Sequence, residues 1–240
     1  MEYIPTYIVD NPNARCVVYG ATRNVYTCLT PSIYSLLTHT NIDKIFLLVE
    51  DDELPFMLPN KCEIINVSNQ EMFPKFYNNW TYMVLLRLVY AKMFPNLKRI
   101  LSLDIDTIIQ EDISGLWEYD IDDYYLAAVP ETYLRDINNP YYNMGCALFN
   151  LEKIRQDNMC EQFIAEYQTH NYSFMEQDII NQTCKNYIYT LPNKFNSGLQ
   201  HPQPDEIYIK HYACSPRWRW LNDPIVKKYK NMSLRSINGK

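Results

Sequence analysis

The sequence predicts an α/β fold with a mixed, mostly parallel central sheet and helices on both faces. Three observations carry that expectation. Short apolar runs alternate with stretches at helical spacing between residues 14 and 109. The central runs are apolar at consecutive positions, as in strands covered on both sides. Glycine, proline and acidic clusters fall between them, where the chain must turn.

Taken in order, Ala14-Arg-Cys-Val-Val-Tyr19 reads as a first strand, ended by Gly20. Tyr26 to His39 has the apolar spacing of a helix, with Pro31 tolerable near its start. Lys44 to Val49 is a second buried strand and Cys62 to Val67 a third, with Asp51-Asp-Glu53 and several prolines marking the loop between them. Trp80 to Phe94 predicts a helix stopped by Pro95, and Arg99 to Ile109 the central strand. Further on, Tyr125–Val129 and Gly145–Phe149 read as strands, and Leu151–Thr169 and Glu176–Cys184 as helices. Tyr187–Leu191 and Ile207–Ile209 are short strand candidates, and the basic segment after Asp223 is a closing helix.

The central strand ends in Asp104-Ile-Asp106. In an extended chain, residues two apart project to one side, so both carboxylates would aim at one point while Ile105 turns back into the core. Two carboxylates ~6 Å apart at an effective dielectric of 20 repel by roughly 3 kcal/mol. A divalent cation between them converts that repulsion into a site for hard metals and, through the metal, for phosphate oxygens. A strand-end cap is the other reading. A second such triplet, Asp120-Ile-Asp122, follows Trp117-Glu-Tyr rather than an apolar run and reads as a solvated loop.

Composition excludes several classes. The 240 residues suit one domain with a substantial core. The five glycines, Gly20, Gly115, Gly145, Gly198 and Gly239, are too dispersed for a Walker phosphate loop or a Gly-x-Gly-x-x-Gly dinucleotide turn. A bound nucleotide must therefore be held by metal and side chains. Net charge is −6, yet from His211 to Lys240 seven Lys and Arg stand against one Asp. An acidic body with a basic tail is not the pattern of a nucleic-acid binder. No stretch approaches a membrane span. Seven cysteines without a Cys-x-x-Cys, and a start lacking the secretory pattern, give cytoplasm as the expected location.

Several segments stand in a telling order: Ala21-Thr-Arg-Asn-Val-Tyr26, Arg87, Leu103-Asp-Ile-Asp106, Tyr142-Asn-Met-Gly-Cys-Ala-Leu-Phe-Asn150, Glu176-Gln-Asp-Ile-Ile-Asn181 and His211-Tyr-Ala-Cys-Ser-Pro-Arg217. Together, over roughly residues 14–220, the chain resembles the glycogenin-like retaining glycosyltransferases of family 8, which have the GT-A fold. The resemblance implies a single GT-A domain, with a Rossmann-like nucleotide half at 14–106, a smaller donor-sugar and acceptor half at 107–220, and a basic tail at 221–240.

It further implies that Asp104, Asp106 and His211 hold Mn²⁺, with Mg²⁺ the alternative, on the diphosphate of a UDP-sugar. Thr22, Arg23 and Tyr26 would receive uracil and ribose, Tyr26 by stacking. Arg87 and Arg217 would neutralise phosphate charge, with Ile105 and Cys214 near the donor. Asn143, Met144 and Gly145 would border the sugar, and Gln177 and Asp178, beside Glu176, are the candidates to face the anomeric carbon. The implied partners are a UDP-sugar donor and a saccharide or protein hydroxyl acceptor, without nucleic acid, and a dimer is compatible with the resemblance. Two positions depart from the family pattern: Glu176 stands where Asp is usual, and Cys214, with Arg217-Trp-Arg-Trp220, where a Gly, a Lys and Pro-Trp are favoured. These departures leave the donor open, and leave a rival in which the fold binds nucleotide-sugar or glycan without turnover.

Overall fold

The computed structural model describes residues 2–77, 81–131, 140–198, 203–213 and 220–237. Its strands are β1 (Cys16–Gly20), β2 (Lys44–Val49), β3 (Cys62–Asn66), β4 (Arg99–Leu103), β5 (Thr107–Ile109), β6 (Leu126–Pro130), β7 (Tyr142–Asn150), β8 (Ile188–Thr190) and β9 (Ile209–His211). Seven of them form one sheet in the order β3-β2-β1-β4-β7-β6-β8, while β5 and β9 pair separately. β3, β2, β1 and β4 run parallel, β7 is antiparallel to β4 and to β6, and β8 is parallel to β6. The expected α/β architecture is present, and the sheet is mostly parallel.

Alternation along the strands explains the two-sided covering. Val18, Phe46, Leu48 and Ile100 enter one apolar cluster, and Val17, Tyr19, Ile45, Leu47 and Leu101 enter the other. Neighbouring residues on a strand point to opposite faces, so runs that are apolar at every position must be buried on both. Among the described residues the helices are α1 (Tyr26–His39), α2 (Tyr90–Met93), α3 (Leu151–Gln156), α4 (Met159–Thr169), α5 (Glu176–Thr183) and α6 (Pro224–Ile237). α1 matches its predicted bounds with Pro31 inside. Proline cannot donate to the carbonyl four residues back, and the Thr30 hydroxyl donates to that Thr27 carbonyl instead, at 3.3 Å.

Three expectations need correction. Where a helix over Trp80–Phe94 was predicted, Tyr82–Val89 forms 3₁₀ turns and only Tyr90–Met93 is α-helical, while Trp80 lies outside the described residues. Every residue of the 3₁₀ segment except Val84 is buried, so its apolar spacing marks the core and not one helical face. The helix over Leu151–Thr169 is broken between α3 and α4, where Asn158 takes a left-handed conformation (φ 51°, ψ 39°) that asparagine tolerates better than most residues. The last short strand lies at Ile209–His211, two residues later than expected, and carries His211 within it.

The basic tail becomes α6, whose Val226 and Tyr229 bury against Cys28 of α1, Ile108 and Trp220. Tyr229 and His39 share a hydrogen bond at 2.8 Å. Lys227, Lys228 and Lys230 are exposed, as a solvated helix face requires. Among the described residues, no helix is long and apolar enough to cross a membrane.

Candidate active site

β4 ends at Leu103, and the chain turns at once. The Thr107 amide donates to the Asp104 carbonyl at 3.2 Å, and the Thr107 hydroxyl donates to the same oxygen at 2.7 Å. Asp104 and Asp106 therefore converge because they sit in a turn, which corrects the expectation of an extended strand end. Ile105 between them is half-buried and packs against the apolar clusters. The turn is tied to β7 by the Asp104 amide donating to the Gly145 carbonyl at 2.9 Å.

His211 arrives from the far end of the sequence through the β5–β9 pair, in which Thr107 is opposite His211. Its amide donates to the Ser197 carbonyl at 2.7 Å, and the Tyr212 amide donates to the Asp106 carbonyl at 3.0 Å. Nε2 of the buried imidazole lies 3.3 Å from Asp106 Oδ1 and 3.5 Å from Asp104 Oδ2. Among the described residues, one donor atom from each of Asp104, Asp106 and His211 falls within 4.8 Å of the others. Two carboxylates and an imidazole are a donor set that can hold a divalent metal ion.

Two glycines make room for this histidine. A Cβ on Gly145 would stand 2.1 Å from His211 Cε1, and one on Gly198 would stand 2.0 Å from the His211 carbonyl oxygen. Glycine is needed at 145 because the imidazole occupies the space a side chain would take.

Electrostatics binds the cluster to a second layer. Buried Arg87 pairs with Asp104 and, at 2.5 Å, with Glu176 Oε1, and its Nε donates to the Ser102 hydroxyl at 3.2 Å. Burial works against ionising Asp104, but Arg87 and His211 outweigh it and hold its carboxyl well below the usual range. Burial dominates at Glu176 and raises its pKa in spite of Arg87. At His211, burial opposes protonation, yet Asp106 and Asp104 prevail and push its pKa up to about 10.

Around this centre, Asn143, Met144 and Gly145 lie on β7, and Glu176, Gln177 and Asp178 open α5. Met175, just before α5, has φ 50° and ψ −124°, a strained backbone of the kind that collects at functional sites. The Gln177 oxygen accepts from the Met144 amide at 3.0 Å, and its nitrogen donates to Glu131 at 3.1 Å and to the Tyr141 hydroxyl at 3.2 Å. Asp178 accepts from the Tyr141 hydroxyl at 2.5 Å and from the Phe174 amide at 2.8 Å.

Thr22, Arg23 and Tyr26 lie just past the end of β1. Thr22 is buried and donates to the Asn24 side-chain oxygen at 2.6 Å. Arg23 is exposed and forms a fork with Asp51. Tyr26 is buried in the core, its hydroxyl accepting from the Glu50 amide at 2.8 Å and donating to Asp51 at 3.0 Å, and burial raises its pKa to about 12. Cys214 and Arg217 lie outside the described residues.

Sequence reasoning missed Glu50, Asp51, Glu131 and Asn196. Glu50 accepts from Tyr77 at 2.6 Å, from Tyr82 at 3.1 Å and from the Arg23 amide at 3.0 Å. Acidic residues directly after a buried strand were the available signal for Glu50, Asp51 and Glu131, the same signal that exposed Asp104. Asn196 carried none. A separate cleft of about 570 Å³, lined among others by Arg15, Arg99, Trp117 and Glu152, opens at the other end of β4 and contains none of the residues assigned to metal, donor or catalysis.

The fold is the GT-A fold of glycosyltransferases. A galactosyltransferase, LgtC, crystallised with donor and acceptor sugar analogs, superposes with a TM-score of 0.71 over 92% of this chain and 95% of its own at 18% identity. The glycosyltransferase GlyE of Streptococcus pneumoniae does so with a TM-score of 0.67 over 94% and 64% at 18% identity. Residues 16–212 match the description "Glycosyl transferase family 8", and the chain belongs to that family. A putative glycosyltransferase of Haemophilus influenzae is 30% identical over 59% of this chain and 45% of its own length. For the Streptococcus pneumoniae GlyB glycosyltransferase the values are 26%, 77% and 48%. The chain thus spans about half the length of these two relatives.

The raised imidazole pKa fixes a pH dependence. A group protonated more readily when folded contributes stability that is fully present below its unfolded pKa and is lost as pH rises through the folded one. Without metal, the contribution of His211 is complete below about 6.5 and disappears as pH climbs through about 10. An NMR titration should place this imidazole near that upper value. Gly145→Ala, which drives the ring off the carboxylates, should bring it down substantially. An unchanged titration in the variant would contradict the geometry.

Proposed function

We propose that this glycosyltransferase moves a hexose from a UDP-sugar to a hydroxyl of a saccharide or protein, with retention of configuration and dependence on a divalent cation, Mn²⁺ before Mg²⁺. The observation that carries this reading is the meeting of Asp104, Asp106 and His211 beyond the end of β4 in a member of family 8. Ligands of α/β sheets sit beyond the carboxyl ends of parallel strands. When bound, the cation neutralises the diphosphate and makes UDP a better leaving group.

The chain's own residues supply the rest. Asp104, Asp106 and His211 hold the cation, and Arg87 braces Asp104 and Glu176 in place. A phosphate contact by Arg87 would have to share the guanidinium with these carboxylates, whereas Arg217 remains the candidate for the leaving diphosphate. Residues 14–106 form the nucleotide half, where Arg23 and Asp51 are the accessible groups that would border uracil and ribose, held in place by the buried Thr22 and Tyr26 behind them. Residues 107–220 border sugar and acceptor, with Asn143, Met144 and Gly145 on one side and Gln177 and Asp178 toward the anomeric carbon. The relatives are named glycosyltransferases, and LgtC is named a galactosyltransferase, which supports transfer of a hexose.

Incubation with Mn²⁺ and a panel of UDP-sugars, followed by mass spectrometry of protein and products, tests this reading and detects self-glycosylation as well. One donor should be consumed, and Asp106→Asn should lose metal-dependent UDP binding while circular dichroism shows the fold retained. Metal-dependent UDP binding without transfer to any acceptor or to water would favour the non-catalytic binding module. Absence of both binding and hydrolysis would overturn the proposal.

A further inference from the structure

Asn196 is buried, and nothing in the sequence marked it. It stands next to His211 in a run of hydrogen bonds whose direction follows from which groups only donate and which only accept. Glu131, also buried, lies just past β6, and Asn143 Nδ2 donates to its Oε1 at 2.7 Å. The other end of that carboxamide, Asn143 Oδ1, accepts from the Gly145 amide at 2.8 Å.

The two ends of a carboxamide have nearly the same shape, so their order must come from fixed neighbours. Asn143 has a fixed neighbour at each end. A carboxylate only accepts and a backbone amide only donates, so one orientation satisfies both. Asn143 Oδ1 also accepts from Asn196 Nδ2 at 2.8 Å, which turns Asn196 Oδ1 to its other side, 2.8 Å from His211 Nδ1. An amide oxygen cannot donate, so Nδ1 carries the proton. Nε2 is left as the nitrogen facing Asp104 and Asp106.

We propose that Asn196 is a positioning residue for the cation site: its carboxamide oxygen, oriented through Asn143 by Glu131 and the Gly145 amide, keeps the His211 proton on Nδ1 and so presents Nε2 as the ligand nitrogen. This rests on the reading of Asp104, Asp106 and His211 as a divalent-cation site. A metal-binding histidine is set by the bond its other nitrogen makes, and losing that partner costs ~10–100-fold in metal affinity.

Two substitutions separate positioning from mere packing. Asn196→Ala and Asn196→Asp both remove the donor to Asn143, so both should lower the melting temperature. Asn196→Asp keeps an acceptor beside Nδ1, whereas Asn196→Ala does not. Mn²⁺ binding to the full chain, followed by electron paramagnetic resonance, should weaken ~10–100-fold in Asn196→Ala and stay near wild type in Asn196→Asp. In the Mg²⁺-loaded protein labelled with ¹⁵N-histidine, with His211 assigned through His211→Asn, the form protonated on Nδ1 alone should persist in wild type and Asn196→Asp, and give way in Asn196→Ala to one that carries a proton on Nε2. Equal losses of Mn²⁺ affinity in the two variants, or no loss in Asn196→Ala, would overturn the positioning role and leave the cation site standing. Failure of the wild-type chain to bind Mn²⁺ would overturn the cation site and this inference with it.

Discussion

Among the described residues, three acidic side chains, Asp104, Asp106 and Glu176, stand at this site with one permanently charged base, Arg87, which pairs with two of them. That imbalance is the constraint on which the site depends. Buried charge of one sign is tolerated only when paired, and Arg87 serves Asp104 and Glu176 but not Asp106. The remaining charge is met by His211, whose imidazole keeps its proton far above the usual range because Asp106 and Asp104 face it. The same arrangement suits a divalent cation. An ion seated between the carboxylates would take over the role of the proton on Nε2, and the donor set would then balance a positive centre toward the diphosphate. Two acidic side chains facing one imidazole nitrogen at 3.3 and 3.5 Å give the site a physical reason to bind a cation.

Holding such a cluster requires a rigid frame, and the fold provides it from three directions. The β4–β5 turn carries the carboxylates, β7 passes behind them with Gly145, and β9 brings His211 in register with Thr107. Gly145 and Gly198 let the imidazole and the backbone of His211 lie where side chains would collide with them. The polar layer behind, from Glu131 through Asn143 and Asn196, belongs to the same construction. Its members are buried and satisfied, which is what allows polar groups to specify one arrangement instead of weakening the core.

Much of this was legible in the sequence, for reasons that differ by element. The parallel strands were readable because burial on both faces leaves an unbroken apolar run, and α1 because its apolar residues recur at helical spacing. The Asp104 and Asp106 carboxylates stood out at the end of such a run. The actual turn geometry was not readable, because a bond from Thr107 to Asp104 replaces the extended conformation that alternation assumes. Tyr82–Val89 misled because a segment buried nearly all round has no face to display. His211 could be tied to Asp106 only through family resemblance, since the β5–β9 pairing joins segments about a hundred residues apart. Asn196 stayed hidden for a similar reason: its role exists only in contacts between distant parts of the chain.

On the proposed function, Asp104, Asp106 and His211 share one divalent cation through their side chains. Anomalous diffraction from crystals of the full chain grown with Mn²⁺ and UDP tests it most directly. A manganese peak bonded to both carboxylates and to Nε2 of His211, with the diphosphate completing its shell, is the predicted result. A peak elsewhere, or UDP bound with His211 Nε2 turned away from the metal, would contradict it.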